Sequence, residues 1–454
     1  MNQTSIFDLM YPKYKITKPI RLIEFFAGYG SQALALKYLD VPFEHWKICE
    51  WAIKSIQAYK DIHFTNDNDD YSMLNNLSYE ELIDILYNYG ISQNYNEPMN
   101  LEQIKRLGEK QVRKIFNNIV ATHNLVNIQK VKGYSLEIQD TDKYDYILTY
   151  SFPCQDLSLA GKGKGMSDTT TRSGMLWEVE RILTECNELG TLPQILLMEN
   201  VPQVHSEDNI KDFHKWQNRL EELGYKNYMQ DLIATDYGIP QTRNRCFMVS
   251  ILGDYSYTFP QPIPLKLKLK DLLEDNVDEK YYLSGKMINF FMYNEEQQKE
   301  NGNGFRFNVS DGNVIAKTIT TRAGSRMDDN FIGNKSLQET LQKNEIKDTC
   351  YIDTYNKRID EEKSGTITTG VSFRNNTFLA IKNNTKQGYL EATDGDGKIR
   401  KLTPKECFRL MGVKDEDFEK CAKNQSDSSL YHLAGDSIVV DVLCHLFKQF
   451  FKDS

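Results

Sequence analysis

The 454-residue chain has eight cysteines, but no Cys-x-x-Cys pair and no Cys/His cluster at zinc-ligand spacing. That scatter argues against a disulfide framework and a structural zinc site, and no metal is expected. Long apolar runs are also missing. The longest, such as Ile195-Leu-Leu-Met198 and Ile438-Val-Val440, fall far short of the ~20 residues that cross a bilayer. Met1 to Tyr14 mixes Asn, Asp, Tyr and Pro, with no basic stretch leading into an apolar one. No export signal is read there, and a cytoplasmic protein without membrane contact is expected. Positive charge is in deficit: the net charge of −9 disfavours phosphate contacts unless Lys and Arg cluster locally.

What remains is a globular composition, 40% hydrophobic and 26% charged, on a chain long enough for two or three domains of ~150 residues. From Arg21 the pattern is strand, glycine turn, helix: Leu22 to Phe26, then Ala27-Gly-Tyr-Gly30, then Ala33-Leu-Ala-Leu36. Trp46 to Cys49, Tyr146 to Thr149 and Gln194 to Met198 read as further buried strands, with helical spacing over Leu176, Val179, Ile182 and Leu183. Strands alternating with helices predict an α/β layer structure around a mostly parallel sheet. Two segments interrupt it. Asp61 to Val126 carries an amphipathic stripe (Leu101, Ile104, Leu107, Val112, Ile115, Ile119) and reads as a helical insertion with no assigned role. Ser256 to Lys398 loses the alternation; within it Lys317-Thr-Ile-Thr-Thr321 is echoed by Gly365-Thr-Ile-Thr-Thr369, either as similar sheet edges or as a shared role. Beyond Arg400, Thr403-Pro404-Lys405-Glu406 is a capping-box helix start with Gly412 as its stop, and a last helix from Ser437 carries Val439, Val442, Leu443, Leu446 and Phe450 on one face.

In an open parallel sheet, ligands bind beyond the carboxyl ends of the strands. Those ends carry the glycine turn, Glu50, Ser151-Phe-Pro-Cys154-Gln155 and Glu199-Asn200. Gly28, Gly30 and Ala33 fit a G-x-G-x-x-A turn, and Glu50 follows Gly30 by 20 residues, which suits a nucleoside-type cofactor with its ribose on the acid. Cys154 is either an inert packed thiol or, beside the Gly161-Lys-Gly-Lys-Gly165 loop, a nucleophilic thiolate. Glu199 is either hydrogen-bonded scaffolding or an acid with a raised pKa. Arg243 and Arg245, on one face if extended, are either surface charges or a grip on a phosphate or an electron-rich ring substituent.

Taken together, these motifs resemble the DNA (cytosine-5)-methyltransferases in their family order. Phe26-Ala-Gly-Tyr-Gly30 is similar to the cofactor motif and Glu50-Trp51 to the second. Phe152-Pro-Cys-Gln155 is similar to the nucleophile loop, Glu199-Asn-Val201 to the acid motif and Gln241-Thr-Arg-Asn-Arg245 to the arginine motif. Arg400-Lys-Leu-Thr-Pro-Lys-Glu406 and Gly435-Asp-Ser-Ile438 are similar to the ninth and tenth. The resemblance implies a Rossmann-like S-adenosylmethionine-dependent domain and a smaller, mostly β target-recognition domain. Cys154 then attacks carbon 6 of a flipped cytosine, Glu199 serves ring nitrogen 3, and Arg243 and Arg245 hold the base and the thiolate loop. The cofactor falls to Phe26, Gly28, Gly30, Glu50, Trp51, Asn127, Pro153, Leu176, Asp436, Ser437 and Ile438.

On the same resemblance the catalytic domain is discontinuous: 1–255 with the insertion 61–126, then a target-recognition domain 256–398, then a return segment 399–454 packing beside the first strand. Glu24 stands where Asp is usual, Ser31 where a third glycine is usual, and Asp436 where Asn is usual. The expected partner is duplex DNA, read by a monomer that is a restriction-modification or orphan enzyme, with or without a separate endonuclease. The candidate DNA face is Arg306, Arg322, Arg326 and Arg374, with Lys162 and Lys164 on a closing loop. A nicotinamide-dependent oxidoreductase also fits the glycine turn plus acid but gives no reason for the Pro-Cys-Gln loop. A transferase of the same chemistry acting on RNA would carry similar motifs, as would a DNA-binding relative without catalysis. Against the last stands the joint presence of Cys154, Glu199 and Arg243.

Overall fold

The computed structural model describes residues 11–153, 173–333 apart from Asn303, Phe305 and Asn308, the strands at 349–353, 358–360 and 377–381, and 399–451. Cys154, Lys162, Lys164 and Arg374 lie outside the described residues, as does the second copy of the Thr-Ile-Thr-Thr echo.

The first units are β1 (Ile20–Phe25), α1 (Ser31–Tyr38), β2 (Phe43–Cys49) and α2 (Ile53–His63). The insertion follows as α3 (Tyr71–Leu74), α4 (Tyr79–Tyr89), α5 (Leu101–Arg106) and α6 (Glu109–Ala121). The chain then resumes with β3 (Asp145–Tyr150), α7 (Leu176–Glu188), β4 (Ile195–Asn200), α8 (Ile210–Glu222), β5 (Tyr225–Ile233) and β6 (Asn244–Leu252). One six-stranded sheet runs β2-β1-β3-β4-β6-β5. The strands from β2 to β4 pair in parallel, and β6 pairs antiparallel with both β4 and β5.

β3 and β4 are buried along their whole length, as central strands covered on both faces must be. Alternation sorts their side chains between two cores. Ile147, Ile195 and Leu197 join one; Tyr146, Leu148, Tyr150, Leu196 and Met198 join the other with α7 and α8. A third core, built from Leu82, Leu86, Ile104, Val112, Ile115 and Ile119, ties the insertion to Ile53 and Ile56 of α2. The amphipathic stripe is thus two helices rather than one, divided at Gly108, whose φ of 78° favours a residue without a Cβ.

The segment after β6 carries a 16-residue helix, α9 (Gly285–Glu300), among short strands, an element not foreseen in a mostly β region. These strands are β7 (Val309–Ser310), β8 (Phe331–Ile332), β9 (Thr349–Asp353), β10 (Arg358–Asp360), β11 (Thr377–Ile381) and β12 (Arg400–Lys401), in two sheets ordered β12-β8-β7 and β10-β9-β11. Four helices close the chain: α10 (Pro404–Leu410), α11 (Asp415–Ala422), α12 (Asp427–Asp436) and α13 (Val440–Lys448). Thr403 and Glu406 form the capping box that starts α10, and Gly412 follows its end at φ 76°.

The return segment packs on α1: Lys37 and Tyr38 reach Asp417 at 2.6 and 2.9 Å, and Val440, Leu443 and Leu446 share a core with Ile20 and Leu22 of β1. Residues Asp427–Lys448 have the length and mean hydropathy (1.3) of a membrane span, a stretch that short apolar runs do not reveal. It is broken between α12 and α13, and 72% of the window is buried inside the protein, so its apolarity serves this core.

Candidate active site

The carboxyl ends of the parallel strands open onto a cavity of about 420 Å³, within the size range of small-molecule sites. Its walls come from Phe26 and Gly28 after β1, Glu50 and Trp51 after β2, Ser151 to Pro153 after β3, and Glu199 and Asn200 ending β4. Because β6 runs the other way, its beginning lies on the same rim, and Arg243 and Arg245 join the wall. The return segment closes the far side with His432, Asp436, Ser437 and Ile438.

Glu50 is the most tightly held group. Its two carboxylate oxygens accept from the backbone N–H of Ala52 at 2.8 Å and of Gly28 at 3.0 Å. Asn124 clamps its backbone, accepting from Glu50 N at 3.0 Å and donating to Glu50 O at 2.9 Å. Burial pushes the Glu50 carboxyl up to about 7 against those hydrogen bonds, with the Asp436 charge adding to the rise. Phe26 and Gly28 sit at φ 57° and 56°, and a Cβ on Gly28 meets nothing within 4 Å, so the turn opens its backbone to whatever occupies the cavity. Gly30 is different. It heads α1 outside the lining, and a Cβ there comes within 2.5 Å of His63 Nε2, so it serves packing. Leu176 is also absent from the lining, its side chain buried among α7 core residues; Met175 takes the wall position instead.

Asn127 reaches the wall, but its side-chain oxygen accepts from Gln129 N at 3.0 Å to cap a turn. Glu24, at the position where Asp is usual, lies below the cavity, accepting from Tyr59 Oη at 2.5 Å and Ala33 N at 3.3 Å to brace the start of α1.

Glu199 and Arg245 meet across the β4/β6 pair, Nε to Oε1 at 3.1 Å. Burial raises the Glu199 carboxyl above the ordinary range, opposed by Arg245 and then Arg243. Arg243 behaves unlike its neighbour. Its guanidinium donates to three backbone carbonyls, Ile319 at 3.1 Å, Gly435 at 3.1 Å and Ser437 at 2.7 Å. Both arginines line the cavity, but they do not share one strand face, because β6 begins at Asn244 and Arg243 precedes the regular alternation. Burial, then Arg245, lowers the Arg243 pKa to about 9. Asn200 Nδ2 donates to Phe152 O at 3.0 Å, fixing Phe152 against the end of β4.

Arg306, Arg322 and Arg326 are all exposed. The last two follow a segment pressed against the cavity wall, since a Cβ on Gly435 comes within 2.2 Å of Thr321 N and 2.3 Å of Thr320 C.

Sequence reading misses the wall residues Tyr95, Asn96, Pro98 and His432, as well as Asn124; none belongs to a motif, and each is brought in by long-range packing. It also misses the meeting of His205, Asp231 and Cys246, whose ligand atoms lie within 4.8 Å of one another in an arrangement able to hold a metal ion. Spacing of Cys and His along the chain carries no trace of it, and the His205 Nε2 contact to Asp231 Oδ1 at 2.9 Å accounts for two of the three.

The cavity has features that suit an S-adenosyl cofactor. A buried carboxylate, Glu50, stands on its wall beside an open glycine backbone, and two wall residues, Arg243 and His432, each keep a buried polar atom, Nε and Nδ1, without a hydrogen-bond partner among the described residues. His432 Nδ1 lies 3.2 Å from Asp436 Oδ2, close enough for charge attraction but without hydrogen-bond alignment.

Residues 103–452 match the family model for C-5 cytosine-specific DNA methylase. The chain is 32% identical to the type II methyltransferase M2.ScrFI of Lactococcus lactis subsp. cremoris, covering 95% of this chain and 99% of that protein. It is 34% identical to the orphan methyltransferase M.SssI of Spiroplasma monobiae over 70% of this chain and 79% of the relative. Among solved structures, a Spodoptera frugiperda DNMT2 mutant aligns with TM-score 0.57 at 17% identity, over 95% of this chain and 99% of that one. The S. pombe Dnmt2 methyltransferase aligns with TM-score 0.56 at 14% identity, over 95% and 97%. At such identities these two likenesses concern the fold alone.

Proposed function

The chain belongs to the family of C-5 cytosine-specific DNA methylases, and from that membership and the geometry of its cavity we propose how its residues divide the reaction. The activity is that of a DNA (cytosine-5)-methyltransferase using S-adenosylmethionine. When bound, that cofactor supplies an electrophilic methyl group. Glu50, Trp51, Phe26, Gly28, Asp436, Ser437 and Ile438 are the residues to hold it, with Glu50 accepting from the ribose hydroxyls.

Carbon 5 of cytosine is a poor nucleophile while the ring is aromatic. Cys154, next in sequence after Pro153, adds its thiolate to carbon 6 of the flipped base, and Glu199 gives a proton to ring nitrogen 3. The electron pair reaches carbon 5, which bonds to the methyl group with S-adenosylhomocysteine as the leaving group. Loss of the carbon 5 proton to a base then expels the thiolate, and nitrogen 3 returns its proton to Glu199, which restores the ring. A carboxyl whose burial raises it above the ordinary range is suited to that donation. Arg245 orients it through the 3.1 Å ion pair. Arg243 is assigned to positioning, holding the 435–437 wall against Ile319.

The substrate is DNA, and we take it as duplex, read by the 256–398 segment with Arg306, Arg322 and Arg326 on phosphates. Lys162, Lys164 and Arg374 complete that proposal. A cytoplasmic monomer, with or without a companion endonuclease, is the matching reading. The observation that carries it is the convergence of Glu50, Pro153, Glu199 and Arg245 on one cavity.

The test is transfer of labelled methyl from S-adenosylmethionine to unmethylated duplex DNA, beside Cys154→Ser and Glu199→Gln, with modified positions read by sequencing. Methylcytosine within one short motif, abolished by Cys154→Ser, is the expected result. Incorporation into RNA but not DNA overturns the substrate, and full activity in Cys154→Ser overturns the nucleophile.

A further inference from the structure

The insertion between β2 and β3 has no role in the reaction as described, yet one of its loops forms part of the cavity. Residues 91–99 join α4 to α5 and are pinned beside Trp51: Ser92 N donates to Trp51 O at 2.8 Å, and Ile53 N donates to Ser92 O at 2.9 Å. Met99 N closes the loop on Ile91 O at 2.8 Å. Inside it, Asn94 Oδ1 accepts from Asn96 N at 2.9 Å and Glu97 N at 3.2 Å, while Ser92 Oγ donates to Glu97 O at 2.7 Å.

The loop tip is therefore shaped before any ligand arrives, and it holds Tyr95 at φ 64°, a left-handed conformation disfavoured for a residue with a Cβ. The Tyr95 ring lies flat on His432, centroids 4.0 Å apart and 15° between planes. His432 in turn sits one helical turn before Asp436, and Tyr95, Asn96, Pro98 and His432 all line the cavity. Across this mouth the insertion and the return segment meet through a partly exposed ring pair. The hydrogen bonds of Asn424 with Lys114 Nζ at 3.2 Å and Asp61 Oδ2 at 3.0 Å, which also join the two, lie on the exposed surface and outside the lining.

We propose that the 91–99 loop is a wall of the S-adenosyl pocket, that Tyr95 is a cofactor-binding residue, and that the Tyr95–His432 stack parts whenever S-adenosylmethionine enters or S-adenosylhomocysteine leaves. This rests on the cavity being the cofactor site. A strained backbone over-determined by its hydrogen bonds is the arrangement expected of a ligand clamp. An aromatic face next to Glu50 and Asp436 also suits a ligand carrying an aromatic base and a positive charge.

The experiment uses the full chain and measures equilibrium binding and stopped-flow dissociation of S-adenosylmethionine and S-adenosylhomocysteine. It compares wild type, Glu50→Ala, Tyr95→Ala, Tyr95→Phe, His432→Ala and the Tyr95→Ala/His432→Ala pair. Losing one stacked pair corresponds to roughly a 3- to 10-fold weaker affinity, appearing mainly as faster dissociation. Tyr95→Phe, which keeps the ring, restores affinity to within about 2-fold on the same reasoning. His432→Ala removes only the stack and so gives a smaller loss, again through faster dissociation, and the double variant is no weaker than Tyr95→Ala because that variant has already removed the stack.

Wild-type affinity and dissociation in Tyr95→Ala, alongside a large loss in Glu50→Ala, overturn the inference and leave the cofactor site standing. Additive losses in the double variant overturn the latch. No binding by wild type, or full binding by Glu50→Ala, overturns the cofactor site itself. If Tyr95→Ala does not fold, His432→Ala with wild-type dissociation overturns the inference on its own.

Discussion

Cofactor affinity is expected to fall steeply when the pH drops from 8 to 6, and Glu50 is the cause. Burial and the Asp436 charge place its carboxyl at about 7, although Ala52 N and Gly28 N both donate to it. Ribose hydroxyls donate to the ionised form, so binding is linked to deprotonation and its strength rises with pH up to the pKa and then levels off. With one group at about 7, the apparent dissociation constant exceeds its plateau by a factor of about 1.1 at pH 8, about 2 at pH 7 and about 11 at pH 6. Folding has the opposite sign. A carboxyl raised above its unfolded value contributes stability that is present below the ordinary carboxyl range and is lost as pH rises through about 7. Glu24, also raised by burial to about 7, adds to this second trend but is not itself part of the cavity lining. Titration calorimetry of S-adenosylmethionine at pH 6, 7 and 8, on wild type and Glu50→Gln, separates the two. The amide variant binds more weakly at pH 8 and shows little change with pH. Asp436, whose carboxyl burial also raises, is the other acid on this wall. A pH slope that persists in Glu50→Gln, or a flat profile in wild type, refutes the assignment to Glu50.

Arg243→Met removes donors to three buried carbonyls, and at ~1 kcal/mol for each hydrogen bond it is expected to cost about 3 kcal/mol of stability while weakening cofactor binding at Ser437 and Ile438. Urea unfolding with and without S-adenosylmethionine checks this; a loss under about 1 kcal/mol means the carbonyls find other donors. Arg322→Ala and Arg326→Ala each leave cofactor affinity intact but lower DNA affinity and reduce the slope of log K against log salt by about 1. Unchanged slopes remove both residues from the DNA face.

The parts of this protein that were legible in the sequence are those decided by neighbours within a few residues. The strand–glycine–helix start, the capping box of Thr403 and Glu406, and the continuous burial of Ile195 to Met198 are local facts with local causes. The glycine turn, Glu50, the Ser151 to Gln155 segment and Glu199 could be placed on one rim because parallel topology puts all such ends together, whereas Arg243 and Arg245 reach it from the beginning of the antiparallel β6. What escaped depends on distant packing. Nothing near Tyr95 announces that its ring rests on His432, and nothing near Asn124 shows that it clamps Glu50. Glu406 caps its own helix, as its spacing implies, but also takes both arms of Arg400 at 2.8 Å, a contact the capping pattern does not contain.

Arg243 shows where period-two reasoning stops applying, and it also explains the first Thr-Ile-Thr-Thr segment. Gln241, fully buried, accepts from Ile319 N at 2.9 Å and donates to Leu410 O at 2.7 Å, while Arg243 binds Ile319 O beside Gly435 and Ser437. Residues 317–321 are therefore stitched by side chains on one side and pressed on Gly435 on the other, where even one added carbon meets backbone at 2.2 Å. The segment that presents Arg322 and Arg326 cannot shift without disturbing the carbonyls at 435 and 437, next to Asp436 and Ile438 on the cavity wall. The β-branched run 318–321, expected as a strand, belongs to none: its backbone is engaged by Gln241, Arg243 and the close approach of Gly435, and the arginines that follow it are exposed.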